Sequence, residues 1–370
     1  MNNQKNYNYT EVVDNIMFEG RFINVQPYGS GHINDTFVAY FEKEKGQRHR
    51  YILQRINNYV FKDPEKLMEN IQNTTAFLRK KITEEGGDPD RETLNVIPSV
   101  KGKSYYKDDD GNYWRGYIFI EGAQTYQIVE KPQHLYYTGK ALGKFQKYLS
   151  DFPAQSLHET IPDFHNTRKR FNAFVEAVEK DSANHVKGVK KEIEFVMRRE
   201  SSTEVLINLI KNGDLQLRVT HNDTKFNNVM IDDVTGEGIC VIDLDTVMPG
   251  LILYDFGDSI RSGANPAAED ERDLSKVSMD ISLYENFTCG FLEETKKILH
   301  PLEIEYLPFS AKLMTFECGI RFLTDYLNGD SYFKIHREDH NLDRARTQFR
   351  IVEDMESKME TMKKIVSKYL

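Results

Sequence analysis

Residues 219–250 read VTHNDTKFNNVMIDDVTGEGICVIDLDTVMPG. Two polar clusters stand out: His221-Asn222-Asp223-Thr224-Lys225-Phe226-Asn227-Asn228, and Asp243 with Asp245 inside Val241-Ile242-Asp243-Leu244-Asp245. Between them, Val229-Met230-Ile231 and Ile239-Cys240-Val241-Ile242 predict two short buried strands. Residues 232–238, rich in Asp and Gly, predict their turn. Such a hairpin sets the two acidic clusters side by side at its open end. Asp and Asn ahead of a strand are also ordinary turn formers. It is the order of both clusters, their hairpin spacing and the following Tyr254-Asp255-Phe256-Gly257-Asp258 that make a chemical reading the better one.

The chemistry that fits is phosphoryl transfer. That reaction needs a carboxylate at the acceptor hydroxyl and charge neutralisation at the phosphates. Magnesium, a hard ion, takes carboxylate and amide oxygens. The spacing His-x-Asp-x4-Asn resembles the kinase catalytic loop, with Asp223 at the acceptor hydroxyl and Asn228 on the metal. Asp243 falls where kinases place a second metal-binding Asp, and Asp245 is a further metal or sugar candidate. Lys225 is the candidate to reach the transferred phosphate. On these motifs the chain resembles the aminoglycoside phosphotransferase and choline kinase-like small-molecule kinases. HNDTKFNNVM, VIDLDTVMPG and RFLTDYLNGDSYFK resemble most closely the members that phosphorylate a sugar at its anomeric hydroxyl. The resemblance runs from the glycine loop near Tyr28 to the last helix. It implies ATP and Mg2+ as cofactors, a small-molecule sugar as acceptor and an α+β, bilobed protein-kinase-like fold. A kinase of another small hydroxyl acceptor (choline, ethanolamine, homoserine or an aminoglycoside) and a nucleotide-binding pseudokinase are the rival readings.

Composition is compatible. The 370 residues are 39% hydrophobic, enough for a sizeable core, and carry a formal net charge of -9 from 49 basic and 58 acidic residues. That balance argues against nucleic acid or an anionic membrane as partner. Cys240, Cys289 and Cys318 are widely spaced, without metal-ligand spacing, and read as buried free thiols of a reducing compartment. MNNQKNYNYT lacks an apolar signal core, and no apolar run is long enough to span a bilayer. The expectation is a cytoplasmic enzyme, with a monomer favoured.

Residues 1–121 are expected to form a nucleotide-binding lobe, and 122–370 a catalytic and sugar-binding lobe. In the first, residues 36–42 and 49–56 read as strands. Before them, Gly29, Ser30 and Gly31 would cover the ATP phosphates, because glycines let backbone amides approach closely. His32, beside them, is a sugar-side candidate. Tyr51-Ile52-Leu53-Gln54-Arg55-Ile56 stands where kinases carry a phosphate-binding Lys, and no Lys is present. Arg55 is the chemical candidate; strict strand alignment puts Gln54 in that slot, and Lys225 is another source of the cation. Asp63-Pro64 opens a helix with Leu67, Ile71, Leu78 and Ile82 as its buried stripe. Glu69 on that helix is the candidate to hold the strand cation. Residues 95–100, 103–107 and 112–120 complete the sheet, and residues 117–122 read as a hinge. Helical periodicity follows from Leu135 onward. Asp255 resembles the family residue that braces the catalytic loop. By the same resemblance, Arg321 and Tyr332 contact sugar hydroxyls, although an Arg321–Asp325 ion pair one helical turn apart is the plain structural alternative.

Overall fold

The computed structural model describes residues 7–29, 33–129 and 131–370. A short helix α1 (Tyr9–Asp14) precedes strands β1 (Arg21–Pro27), β2 (Asp35–Glu42) and β3 (Arg48–Ile56). Helix α2 (Pro64–Glu84), the single turn α3 (Pro89–Glu92) and strands β4 (Val96–Ile97), β5 (Tyr106–Lys107), β6 (Tyr113–Ile118) and β7 (Ala123–Gln124) follow. The mainly helical remainder starts with α4 (Pro132–Tyr148), α5 (Thr167–Lys180), α6 (Lys190–Met197) and α7 (Val205–Lys211). It continues with β8 (Arg218–Thr220), β9 (Val229–Asp232), β10 (Gly238–Val241) and β11 (Met248–Gly250). Helices α8 (Ile252–Gly263), α9 (Ile281–Thr295), α10 (Pro301–Leu327) and α11 (His340–Lys368) complete it. The architecture is α+β, an antiparallel sheet ahead of a helical mass.

The first sheet runs β1-β2-β3-β6-β4, with β5 also on β6. Its register aligns Asp35 with Arg55 and Trp114, and Thr36 with Gln54 and Arg115. Because side chains alternate between faces, these two rows look in opposite directions. Phe37, Leu53 and Trp114 bury one face with Val12, Val13 and Ile16. Ile52 and Tyr117 join the main core on the other, with Leu67, Ile71 and Leu78 of α2. Helix α2 begins as its sequence requires: the Asp63 carboxylate accepts the Lys66 N–H, and Pro64 occupies the first position.

The β9–β10 hairpin forms as expected, and β7 adds to it as a third strand. The chain leaving the first sheet is therefore stitched directly to the β9–β10 hairpin, which the sequence pattern did not announce. A second ribbon, β8 with β11, was equally invisible in strands of three residues. Val352, Met355, Met359 and Met362 recur at helical spacing along the last helix; Val352, Met355 and Met362 are buried there and Met359 is half-buried. Cys240 is buried, but Cys289 and Cys318 are partly exposed, so only one of the three thiols is fully enclosed. Among the described residues no helix is long and apolar enough to cross a membrane.

Helices α4 and α9 approach so closely that a methyl group has no room between them. A Cβ at Gly290 would lie 2.0 Å from the Tyr136 carbonyl oxygen, and one at Gly139 2.3 Å from that of Phe287. Gly290→Ala should therefore destabilise the protein by about 1–3 kcal/mol through forced backbone separation. Urea unfolding measures this, and an unchanged midpoint would mean that the helices part at no cost.

Candidate active site

The catalytic loop leaves β8 at Thr220 and is held from below by one carboxylate. Asp255, 1% exposed, accepts the backbone N–H of His221 at 2.9 Å and of Asn222 at 2.8 Å. Gln146 donates to it as well, at 2.5 Å. Burial raises the Asp255 carboxyl pKa, and the nearby His221 with these N–H donors works against the rise. Asn222 takes φ 65, a left-handed conformation that Asn tolerates better than most residues. Its side chain bonds the Thr246 carbonyl at 2.9 Å and so ties the loop to the segment after Asp243. His221 is fully buried, its Nε2 donating to the Ile242 carbonyl at 2.8 Å and its Nδ1 accepting the Asp223 N–H at 3.2 Å. Gly250 is needed alongside, since a Cβ there would stand 2.3 Å from Thr220 Oγ1.

On this scaffold the reactive groups face a cleft. Asp223 pairs with Lys225 at 2.8 Å. Burial opposes its ionisation, but Lys225, then His221 and Arg261, hold the carboxyl below the usual carboxylate range. Lys225 is correspondingly held well above the ordinary lysine value, its burial outweighed by Asp223 and Asp258. Asn228 donates its Nδ2 to the Asp223 carbonyl at 2.8 Å, which leaves its Oδ1 turned outward. The Ile242 N–H bonds the Asn228 carbonyl at 2.9 Å, so the hairpin brings the two clusters together at its open end. Asp243 adopts φ 61, and its side chain forms no hydrogen bond or ion pair among the described residues. Surrounding protein first, and then the charges of Asp245 and Asp223, push its carboxyl up to about 6. The residue itself is open to solvent. It is thus a crowded carboxylate on a cleft floor rather than a core group.

The sheet side corrects three expectations. Arg55 lies on the wrong face: alternation along β3 turns it toward Asp35, which it meets at 2.6 Å, beneath the Tyr7 ring. Glu69 holds no strand cation; it bonds His158 at 2.9 Å near the surface. The inward polar residue of α2 is its neighbour Asn70, which bonds the backbone of His158 and Val247. Asp245 is not free for a metal, because Arg115 meets its Oδ1 at 2.5 Å and Asn34 its Oδ2 at 2.6 Å. Gln54 does face the cleft, and accepts the Arg115 Nε–H at 3.0 Å. Arg115, on the strand next to β3, is therefore the cation on this face, 2% exposed on its side chain and held protonated by Asp245 against its burial. A clue was available: an arginine within the aromatic strand NYWRGYIF needs a buried carboxylate somewhere. Gly29 takes φ 76 in the turn after β1. Ser30, Gly31 and His32 lie outside the described residues. A cavity of about 960 Å³ between the start of β3, α2 and β4 contains none of these groups.

On the opposite wall, Arg321 makes no ion pair with Asp325. Asp325 instead accepts the N–H groups of Ser331, Tyr332 and Phe333 at 3.1, 2.8 and 2.9 Å, shaping the loop that exposes Tyr332. Arg321 lies over the rings of Phe164 and Phe333, at 5.6 and 5.5 Å. His165 connects this wall to the catalytic loop, bonding Glu317 at 2.8 Å through Nδ1 and the Asn222 carbonyl at 2.8 Å through Nε2.

The family model APH, described as the phosphotransferase enzyme family, matches residues 24–276, more than half of the chain. The chain belongs to this family. The phosphotransferase is also similar in structure to an aminoglycoside phosphotransferase from Alicyclobacillus acidocaldarius, at TM-score 0.61 and 13% identity, over 99% of this chain and 98% of that one. It resembles a microcompartment-associated aminopropanol kinase at TM-score 0.56 and 13% identity, over 92% and 93%. It resembles an amicoumacin kinase at TM-score 0.55 and 14% identity, over 90% of each chain. At such identities the likeness establishes the fold, which is kinase-like. Among the described residues no cluster of three or more His, Cys, Asp or Glu could hold a metal unaided. Magnesium sites in this chemistry need only one or two protein oxygens beside phosphates and water. The unpartnered Asp243 carboxylate and the outward Asn228 Oδ1 fit that requirement.

Two outcomes follow from this geometry. Arg115→Met should cost about 3–5 kcal/mol, because it leaves Asp245 buried without its cation; adding Asp245→Leu should restore most of the unfolding free energy while turnover stays low. Recovery of both stability and turnover would show the pair to be structural only. For the His165–Glu317 pair, burial opposes both charges but each partner outweighs it, so the His165 pKa is raised and that of Glu317 lowered. The His165 contribution to stability is complete below about pH 6.5 and is lost as pH rises through its raised pKa. The Glu317 contribution is lost as pH falls through its lowered value. Unfolding free energy should thus decline on the alkaline side, and His165→Gln should remove that part of the slope.

Proposed function

We propose that this phosphotransferase is an N-acetylhexosamine 1-kinase, moving the terminal phosphoryl group of ATP to the anomeric hydroxyl of a free N-acetylhexosamine. The observation that carries the choice of acceptor is Arg321, a guanidinium that forms no ion pair among the described residues, set between Phe164 and Phe333 and near the exposed Tyr332. A cationic wall with aromatic faces suits a neutral polyol. An amino alcohol or aminoglycoside, the acceptor named for two of the similar structures, would want carboxylates there.

In this reading Asp223 orients the acceptor hydroxyl and takes its proton. Its ion pair with Lys225 keeps it ionised, and Lys225 stands ready for the transferred phosphoryl group. Asn228 and Asp243 would hold Mg2+, which when bound neutralises phosphate charge. The amicoumacin kinase was solved with AMP-PNP and Ca2+, which supports a nucleotide and a divalent ion in this fold. Gly29, Ser30 and Gly31 would cover the phosphates, and His32, Arg321 and Tyr332 would contact the sugar. Residues 1–121 would then serve the nucleotide and 122–370 the chemistry and the sugar, in a cytoplasmic monomer.

The test is a Mg-ATP assay over GlcNAc, GalNAc, glucose, choline, homoserine and kanamycin, with product NMR. A sugar 1-phosphate from the N-acetylated sugars is expected. Asp223→Asn should lower turnover at least about 10²-fold with an unchanged melting temperature. Phosphorylation of an amine-bearing acceptor alone would discard the sugar assignment.

A further inference from the structure

The wall that carries Arg321 holds a second arginine whose surroundings are incomplete. Arg170 sits in the first turn of α5, in the run Thr167-Arg168-Lys169-Arg170, and that turn contains no acidic residue. A cation there opposes the positive end of the helix dipole. Its two neighbours are neutralised: Arg168 pairs with Glu200 at 2.8 Å, and Lys169 with Asp163 at 2.5 Å. Arg170 has no carboxylate within ion-pair distance among the described residues. Its Nη2 donates to the Phe164 carbonyl at 2.8 Å, while its Nε is buried without any hydrogen bond. Phe164 is shared, because Arg321 lies over its ring.

The two guanidinium groups are close enough to disturb each other. Burial first, and then the charge of Arg321, lower the Arg170 pKa, against the opposing charges of Glu317 and Asp163. The nearest carboxylates are already committed. Glu317 is bound by His165 and by Thr167 at 2.5 Å, and Asp325 by the 331–333 backbone and Asn341. A buried unpartnered N–H, two adjacent like charges and a cation at a helix N-terminus are each unfavourable. One oxyanion between the arginines relieves all three, through charge-assisted bonds to planar guanidinium forks. This spot adjoins the acceptor site, since His165, next to Phe164, bonds the carbonyl of Asn222, the residue before Asp223.

We propose that Arg170 and Arg321 form an oxyanion subsite, which takes a carboxylate or phosphate group borne by the sugar acceptor. An acidic N-acetylhexosamine is then a better acceptor than the neutral sugar. The proposal rests on the sugar-kinase reading for the identity of the acceptor, but not for the existence of the anion site.

The experiment compares kcat/KM for GlcNAc, GlcNAc 6-phosphate and N-acetylglucosaminuronic acid in the wild type, Arg170→Gln and Arg170→Lys. The wild type is expected to favour at least one acidic sugar by about tenfold or more. Arg170→Gln should bring the ratio of acidic to neutral sugar near one, and Arg170→Lys should keep part of the preference. Which acidic sugar is favoured tells carboxylate from phosphate. Equal or better use of the neutral sugar, or an Arg170→Gln defect that is the same for all three, overturns the subsite. If no sugar is phosphorylated, the sugar reading fails, and the subsite is judged by calorimetric titration with inorganic phosphate. Binding that Arg170→Gln abolishes supports it; absence of binding to the wild type overturns it.

Discussion

The site depends on one buried carboxylate. Asp255 stands in the first turn of α8 and takes up the N–H groups of His221 and Asn222, the two residues before Asp223. Without that acceptor, two buried backbone donors would have no partner, a loss that few loops tolerate. With it, Asn222 can remain in a left-handed conformation and Asp223 can be presented toward the cleft. Thr224 adds to the clamp by donating to the Asp255 carbonyl at 2.6 Å. Catalytic geometry is thus set by a residue that never faces the cleft, and small errors of placement there are costly in rate.

A second constraint joins the first sheet to the loop that carries Asp243. Asp245, two residues past Asp243, holds Arg115 from β6 on one oxygen and Asn34 from the end of the glycine loop on the other. Asn34 in turn accepts the Asn57 N–H at 2.9 Å, just beyond β3. In protein kinases a strand lysine and a helix glutamate make the comparable link. Here the cation comes from the neighbouring strand and the acid from the loop that carries Asp243, while α2 contributes the neutral amide of Asn70. The consequence is that the position of Asp243 is coupled to the first sheet through the buried Arg115–Asp245 ion pair and Asn34.

Much was legible in the residues. The hairpin of residues 229–241, the capped start of α2 and its buried stripe, and the packing stripe of the last helix all follow local periodicity. The bracing role of Asp255 came from the family resemblance, and its bonds to the His221 and Asn222 N–H groups agree with it. The errors share a cause. Arg55 and Glu69 are the residues that analogy with the kinase strand cation and its helix acid selects, whereas strand alternation sends Arg55 to Asp35 and helical rotation sends Glu69 to His158. Arg115 was missed because its partner is 130 residues away.

The amino-acid sequence by itself determined the reaction class, the α+β architecture and the order of Asp223, Asn228 and Asp243, because each rests on short-range spacing and local backbone preference. Only the tertiary structure decided which cation meets Asp245, how the Asp325 carboxylate is spent on backbone N–H groups, and that Arg170 and Arg321 share Phe164. Those facts depend on how strands align and helices rotate against each other. Residues far apart in the chain become neighbours by packing, and no local pattern records the pairing.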